Sequence, residues 1–88
     1  MKLKYEVECV DMGDEIIIVP IGNGADQING VFKTNKEGMK ILNMLKNDTS
    51  VEGIVTQLTQ EYTTNLELIK KYVNEFVRQL KAMDFLKE

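Results

Sequence analysis

Histidine and tryptophan are missing from this 88-residue chain, and cysteine and proline occur once each. Without histidine the commonest general base is gone, and with Cys9 alone there is neither an internal disulfide nor a His or Cys metal cluster. Carboxylates are plentiful, but no spacing singles out two of them as an acid–base pair in a cleft. No catalysis, metal or cofactor is therefore expected of the chain by itself. Long apolar runs are also lacking. The longest, Ile16 to Val19, falls far short of the ~20 residues that cross a bilayer, and charges interrupt the start before any signal-peptide pattern develops. A soluble, cytoplasmic protein is expected, and a lone unpaired cysteine fits that reducing compartment. Nor is there an excess of positive charge. Eleven Lys and Arg stand against fourteen Asp and Glu, a net charge of −3, which argues against binding a phosphate backbone by bulk electrostatics.

What is present fits one domain over residues 1–88, without tandem repeats or linkers. Tyr5, Val7 and Cys9 alternate with Lys4, Glu6 and Glu8, the pattern of a strand with one wet face, and Asp11-Met12-Gly13-Asp14 supplies the turn after it. In that pattern Cys9 reads as a small buried hydrophobe rather than a reactive thiol. Ile16-Ile17-Ile18-Val19 is a continuous β-branched run, expected to be a strand covered on both faces and stopped by Pro20 and Gly22-Asn23-Gly24. A short third strand is expected from Ile28 to Lys33, at an edge because Gly30 interrupts it.

Behind these strands, three Thr-x-x-Glu tetrads recur at fifteen-residue intervals, Thr34 to Glu37, Thr49 to Glu52 and Thr64 to Glu67. Each precedes apolar residues at helical spacing and reads as a capping box, with the Thr as N-cap and the Glu reaching back. The first helix is expected from about Asn35 to Lys46. The second carries Val51, Ile54, Val55, Leu58 and Tyr62 on one stripe, with Gly53 suggesting a close neighbour. Only a residue or two, around Tyr62 and Thr63, separates it from the third, so the pair has the form of a helix-turn-helix. On the third helix Leu66, Ile69, Val73, Phe76, Val77, Leu80 and Met83 share a face that Leu68 and Tyr72 widen. That arc covers roughly half the circumference, whereas packing on a core needs a stripe of only about 100°. Either a terminal helix that packs on both the sheet and two helices needs so wide a stripe, or part of it serves another surface, a groove beside the third strand.

The run Thr49-Ser50-Val51-Glu52-Gly53-Ile54-Val55 with Leu58 and Tyr62, followed by Tyr72-Val73, Phe76-Val77, Leu80 and Asp84-Phe85-Leu86, resembles the PqqD family. This family is also described as the recognition element of ribosomally made, post-translationally modified peptides. Met39-Lys40-Ile41-Leu42 fills its first-helix slot. Tyr72 stands where the family often has Asp, Phe32-Lys33-Thr34-Asn35 replaces a Leu-Asn strand end, and Asp84 replaces a Gly. The resemblance implies an α+β fold, a winged helix-turn-helix in which a three-stranded antiparallel sheet is followed by three helices. It also implies a non-catalytic role: binding the leader segment of a precursor peptide as an added strand between strand three and helix three. The peptide-binding residues would then be Gly30, Val31, Phe32 and Lys33 on the strand and Leu68, Tyr72, Glu75, Phe76 and Gln79 on the helix. The implied partners are the leader peptide and a maturation enzyme, a radical SAM protein or a leader peptidase. An open sheet edge also suits a homodimer.

The same architecture serves winged-helix nucleic-acid-binding regulators, which lay the third helix in the major groove. Lys70, Lys71, Asn74, Arg78 and Lys81 would form such a face. Glu67 and Glu75 interrupt it, however, and Glu6, Glu8, Asp11, Asp14 and Glu15 make the hairpin acidic. A solvated helix face accounts for these lysines more simply.

Overall fold

A computed structural model of the chain describes residues 1–22 and 32–87. The strands are β1 (Lys2–Leu3), β2 (Val7–Asp11), β3 (Ile16–Pro20), β4 (Phe32–Thr34) and β5 (Leu86–Lys87), and the helices are α1 (Lys36–Met44), α2 (Val51–Glu61) and α3 (Leu66–Ala82). β2, β3 and β4 form an antiparallel sheet in that order, with β4 at an edge. The three helices follow it, as expected. Of the expected third strand, Phe32 and Lys33 lie in β4, while Ile28 to Val31, including Gly30 and Val31, fall outside the described residues.

The β2–β3 hairpin turns where Asp11 to Asp14 placed it. Gly13 adopts φ +94°, a conformation that favours glycine, and its N–H donates to Asp11 Oδ1 at 2.8 Å. Ile16, Ile18 and Pro20 turn their side chains into the core, but Ile17 and Val19 are only half-buried. The continuous apolar run is therefore covered on one face and half open on the other, because among the described residues all three helices lie on the first. Ile16 and Ile18 meet Ile41, Leu42 and Leu45 of α1, Ile54 and Leu58 of α2, and Val73, Val77 and Leu80 of α3 in one core.

The caps differ from the expected ones by one residue each. Asn35, Ser50 and Asn65, not the threonines before them, are the N-caps, their side chains accepting from the N–H groups of Gly38, Gly53 and Glu67. Asn and Ser outrank Thr as caps, and the shift moves each Glu to the second helical position, where a carboxylate still favours the helix dipole. The close neighbour of Gly53 is the residue just before its helix's cap: a Cβ there would lie 2.9 Å from Thr49 Oγ1. Four residues, Tyr62 to Asn65, separate α2 from α3, more than the one or two expected.

The two ends of the chain form a clasp that periodicity did not show. β1 pairs with β5, Leu3 opposite Leu86, and the Leu3 N–H donates to the carbonyl of Leu45 at 2.8 Å. The terminal ammonium of Met1 lies 2.6 Å from Asp48, which it holds below the usual carboxylate range. α3 closes in a Schellman motif. The Phe85 N–H donates to the carbonyl of Leu80 and that of Asp84 to Lys81, with Asp84 in the left-handed region at φ 59°. Phe85 is thereby folded under the sheet, edge-on to Phe32 at 5.3 Å and to Tyr5 at 6.2 Å.

Candidate functional site

Among the described residues no strand pairs with the outer side of β4, and the hairpin hydrogen bonds fix which of its residues faces that open side. Met12 donates to Glu15 and Ile21 to Glu6, so these are hydrogen-bonded pairs of the β2–β3 ladder. Alternation then makes Val10·Ile17 and Glu8·Val19 hydrogen-bonded pairs as well, whereas the backbone groups of Ile16 and Ile18 point away from β2 toward β4. Their partners Thr34 and Phe32 satisfy them. Lys33, between the two, is left with its N–H and C=O on the open side. Pro20, opposite Val7, also falls where β2 needs no N–H from it.

Between that edge and α3 runs a groove of about 390 Å³, lined by Glu15, Phe32 to Asn35, Tyr72, Glu75, Phe76, Gln79, Leu80 and Met83. Phe32 packs on Phe85, just beyond the end of α3, whereas Asn35 bonds to Tyr72 in its second turn, so β4 and α3 run in opposite directions along the groove. The floor is apolar because helical spacing brings Tyr72, Phe76, Leu80 and Met83 to one side of α3. Tyr72 and Phe76 stack with centroids 6.2 Å apart. Gly38 lets α1 come this close: a Cβ there would fall 2.8 Å from the Phe76 ring and also strike Thr34 Oγ1.

The rim is polar. Glu15 and Lys33 pair at 3.4 Å on one bank. On the other, Arg78 donates through Nε to Glu75 at 3.0 Å and holds its carboxyl below the ordinary glutamate range, with Gln79 beside it. At the Tyr72 end, Asn35 Oδ1 accepts both the Gly38 N–H at 2.8 Å and the Tyr72 hydroxyl at 2.9 Å, so one side chain caps α1 and fixes the groove wall. Burial pushes the Tyr72 phenol above its usual value.

Phe32, Lys33, Tyr72, Glu75, Phe76 and Gln79 are thus brought together on this groove. Leu68 is not. It lines a second hollow of about 450 Å³ with Asn35, Glu37, Leu58, Tyr62, Thr64, Ile69 and Tyr72, at the start of α3. Gly30 and Val31 lie outside the described residues. Glu15, Thr34, Asn35, Leu80 and Met83 line the groove without having been singled out for it. Leu80 and Met83 continue the helical spacing of Phe76, and Asn35 would have emerged had it been read as the cap.

The basic face of α3 is largely engaged locally: Lys70 lies 3.9 Å from Glu67, and Arg78 pairs with Glu75. Cys9 is half-buried, and burial raises its thiol. Among the described residues no three His, Cys, Asp or Glu side chains gather where they would hold a metal, and no helix is long and apolar enough to cross a membrane.

The family described as coenzyme PQQ synthesis protein D (PqqD) matches residues 15–86. No curated protein matches the chain. A solved structure of TbiB1 in complex with the TbiA(beta) leader peptide shares the fold, with a TM-score of 0.71 at 22% identity over 99% of this chain and 95% of that one.

Proposed function

The chain belongs to the PqqD family, and from that premise we propose that it is a non-catalytic, single-domain binding protein for the leader segment of a ribosomally made precursor peptide. The observation that carries this reading is the groove itself: an apolar trough on α3 lies beside a strand edge whose Lys33 N–H and C=O face outward. The solved relative, TbiB1, was captured with a leader peptide. Unpaired edge groups bond an extended peptide while its alternate side chains enter the trough. The peptide pairs antiparallel to β4, the more stable arrangement. Its residue opposite Lys33 points to the outer face with the Lys33 side chain, and the residues on either side of that one point toward Phe76 and Tyr72.

Each backbone bond contributes only ~1 kcal/mol net, so micromolar binding, about −8 kcal/mol, also requires burial of peptide side chains. Phe32, Tyr72, Phe76 and Met83 offer that burial, while Lys33, Glu75 and Gln79 fix polar groups at the rim. The bound leader is then delivered to a maturation enzyme, a radical SAM protein or leader peptidase, in the cytoplasm, where the single Cys9 stays reduced.

The test is a titration of labelled leader peptide, from a precursor encoded near this gene, beside labelled duplex DNA at moderate salt. Saturable binding is expected for the peptide alone. Salt-dependent binding of the duplex with no affinity for the peptide would overturn the reading.

A further inference from the structure

The second hollow shares Asn35 and Tyr72 with the strand-edge groove, and the bond from the Tyr72 hydroxyl to Asn35 Oδ1 is the saddle between them. Its floor is Leu58 and Ile69, both buried core residues, and one wall is Leu68, which is 59% exposed. The fold does not use Leu68. The buried face of α3 is complete with Ile69, Val73, Val77 and Leu80, and Leu68 stands beside it over an apolar depression.

We propose that this hollow is an anchor subsite for the same peptide, taking one large aliphatic or aromatic side chain outside the strand-paired segment. The inference rests on the leader-binding reading above and adds to it a second, separate point of recognition. Its occupant follows from continuity with the groove and from length. Leu68 and Phe76 are eight residues apart on α3, about 12 Å along the axis, which an extended chain covers in three to four residues. β4 runs toward the Tyr72 end of the groove, so a peptide antiparallel to it starts at that end. The anchor residue therefore lies three or four positions N-terminal to the segment held over Phe76. The carboxylate of Glu37 at the rim favours a neutral or basic neighbour beside the anchor over an acidic one.

The experiment displays random peptides of about a dozen residues, long enough at ~3.3 Å per residue to span both hollows, to the full 88-residue chain. Selected peptides are alanine-scanned by fluorescence anisotropy against the native protein, Leu68→Glu, Leu68→Ala and Lys33→Pro, with a thermal melt and sedimentation run on each variant. The expected result is a large apolar residue three or four positions before the paired segment. Its replacement by Ala weakens binding to the native chain on the order of tenfold and leaves binding to Leu68→Glu no weaker than it already is. An equal loss on the native chain and on both Leu68 variants, in peptides that still require Lys33, overturns the anchor and leaves the leader-binding reading standing. So does a change in sedimentation of Leu68→Glu without a change in peptide binding, which would assign the hollow to a second copy. If no peptide is selected, or if those selected ignore Lys33→Pro, both readings fall together.

Discussion

On α3, Ile69, Val73, Val77 and Leu80 are buried against the sheet and the other helices, whereas Leu68, Tyr72 and Met83, on the adjoining side, are each more than a third exposed. The two sets are alike in chemistry and interleaved in sequence. They differ in what covers them. Burying one such side chain contributes ~1.5–3 kcal/mol, and a small domain with little spare stability would gain from covering the second set with its own chain. Among the described residues this chain leaves that set open, Tyr72 and Met83 beside a strand edge and Leu68 over the second hollow, and its burial is available to a partner instead. The wide apolar arc read from the sequence is therefore two stripes, one that holds the fold and one that lines the two hollows.

The comparison is tested most strongly by truncation on the buried side. Leu80→Ala should lose on the order of 2 to 5 kcal/mol in denaturant melts, whereas Leu68→Ala should stay within ~0.5 kcal/mol of the native protein. Equal losses would mean that the exposed stripe is core after all. A similar contrast holds across one residue step on β4. Phe32→Pro removes an N–H that satisfies Ile18 together with the ring packed on Phe85 and should cost about 3 kcal/mol or more, while Lys33→Pro removes an outward N–H and an exposed ion pair with Glu15. The second variant should therefore melt cooperatively near the native temperature and fail to bind leader peptide. Should Lys33→Pro unfold the domain while Phe32→Pro does not, the ladder phase is the reverse of the one the hairpin hydrogen bonds imply.

Tyr72 stands where the stripes meet, and its effect should be intermediate. Tyr72→Ala should weaken peptide binding on the order of tenfold or more, while Tyr72→Phe, which loses only the bond to Asn35, should cost ~0.5–1.5 kcal/mol of stability. The phenol's value is raised in the fold, so the neutral form is favoured there. Its contribution is complete below the ordinary value of 10.0 and is lost as pH rises through the higher folded value. The stability difference between native and Tyr72→Phe should thus be flat through neutrality and shrink only above about pH 10. A difference that already falls near pH 7 would require another titrating group.

Much of this arrangement was legible in the sequence because it is periodic. Alternation at Tyr5, Val7 and Cys9 and the Asp11 to Asp14 turn located the hairpin, and the 3.6-residue stripe of α3 located both the core face and the wall of the groove. Features without period were not legible. Thr-Asn and Thr-Ser both offer a side-chain oxygen, and only the extended backbone at Asn35 and Ser50 decides which residue caps. β1 and β5 have two residues each and lie at opposite ends of the chain, too short for any alternation to register. Ile17 and Val19 read as fully covered because a β-branched run does not say which of its faces a helix will pack on. Leu68 was grouped with the strand-edge groove since it shares a helix side with Tyr72, yet eight residues of helix separate it from Phe76 and carry it to the next hollow.

The smallest effect is expected where α3 ends, at the residue that turns the chain from the helix back beneath the groove. Asp84 occupies the left-handed position of the Schellman motif at φ 59°, where a Cβ is unfavourable and glycine is not. Aspartate tolerates that conformation better than most residues, and its ion pair with Lys4 at 2.9 Å offsets part of the remaining cost, although the pair is exposed and salt will screen it. Asp84→Ala keeps the strain and discards the ion pair, whereas Asp84→Gly discards both. Glycine at this site should therefore be more stable than alanine by about 1 kcal/mol, with the native aspartate between or level with glycine. Chemical melts at low and high salt separate the contributions, since only the native protein should lose stability as the Lys4 pair is screened. The same variants sharpen the division of α3 into two faces. Phe85, which follows Asp84, is buried behind Phe32, so a change at the turn should alter stability and leave peptide affinity unchanged as long as Phe85 keeps its place. If affinity instead falls in step with stability across the alanine and glycine variants, the floor of the groove moves with the end of α3, and the buried and open faces are coupled through Phe85.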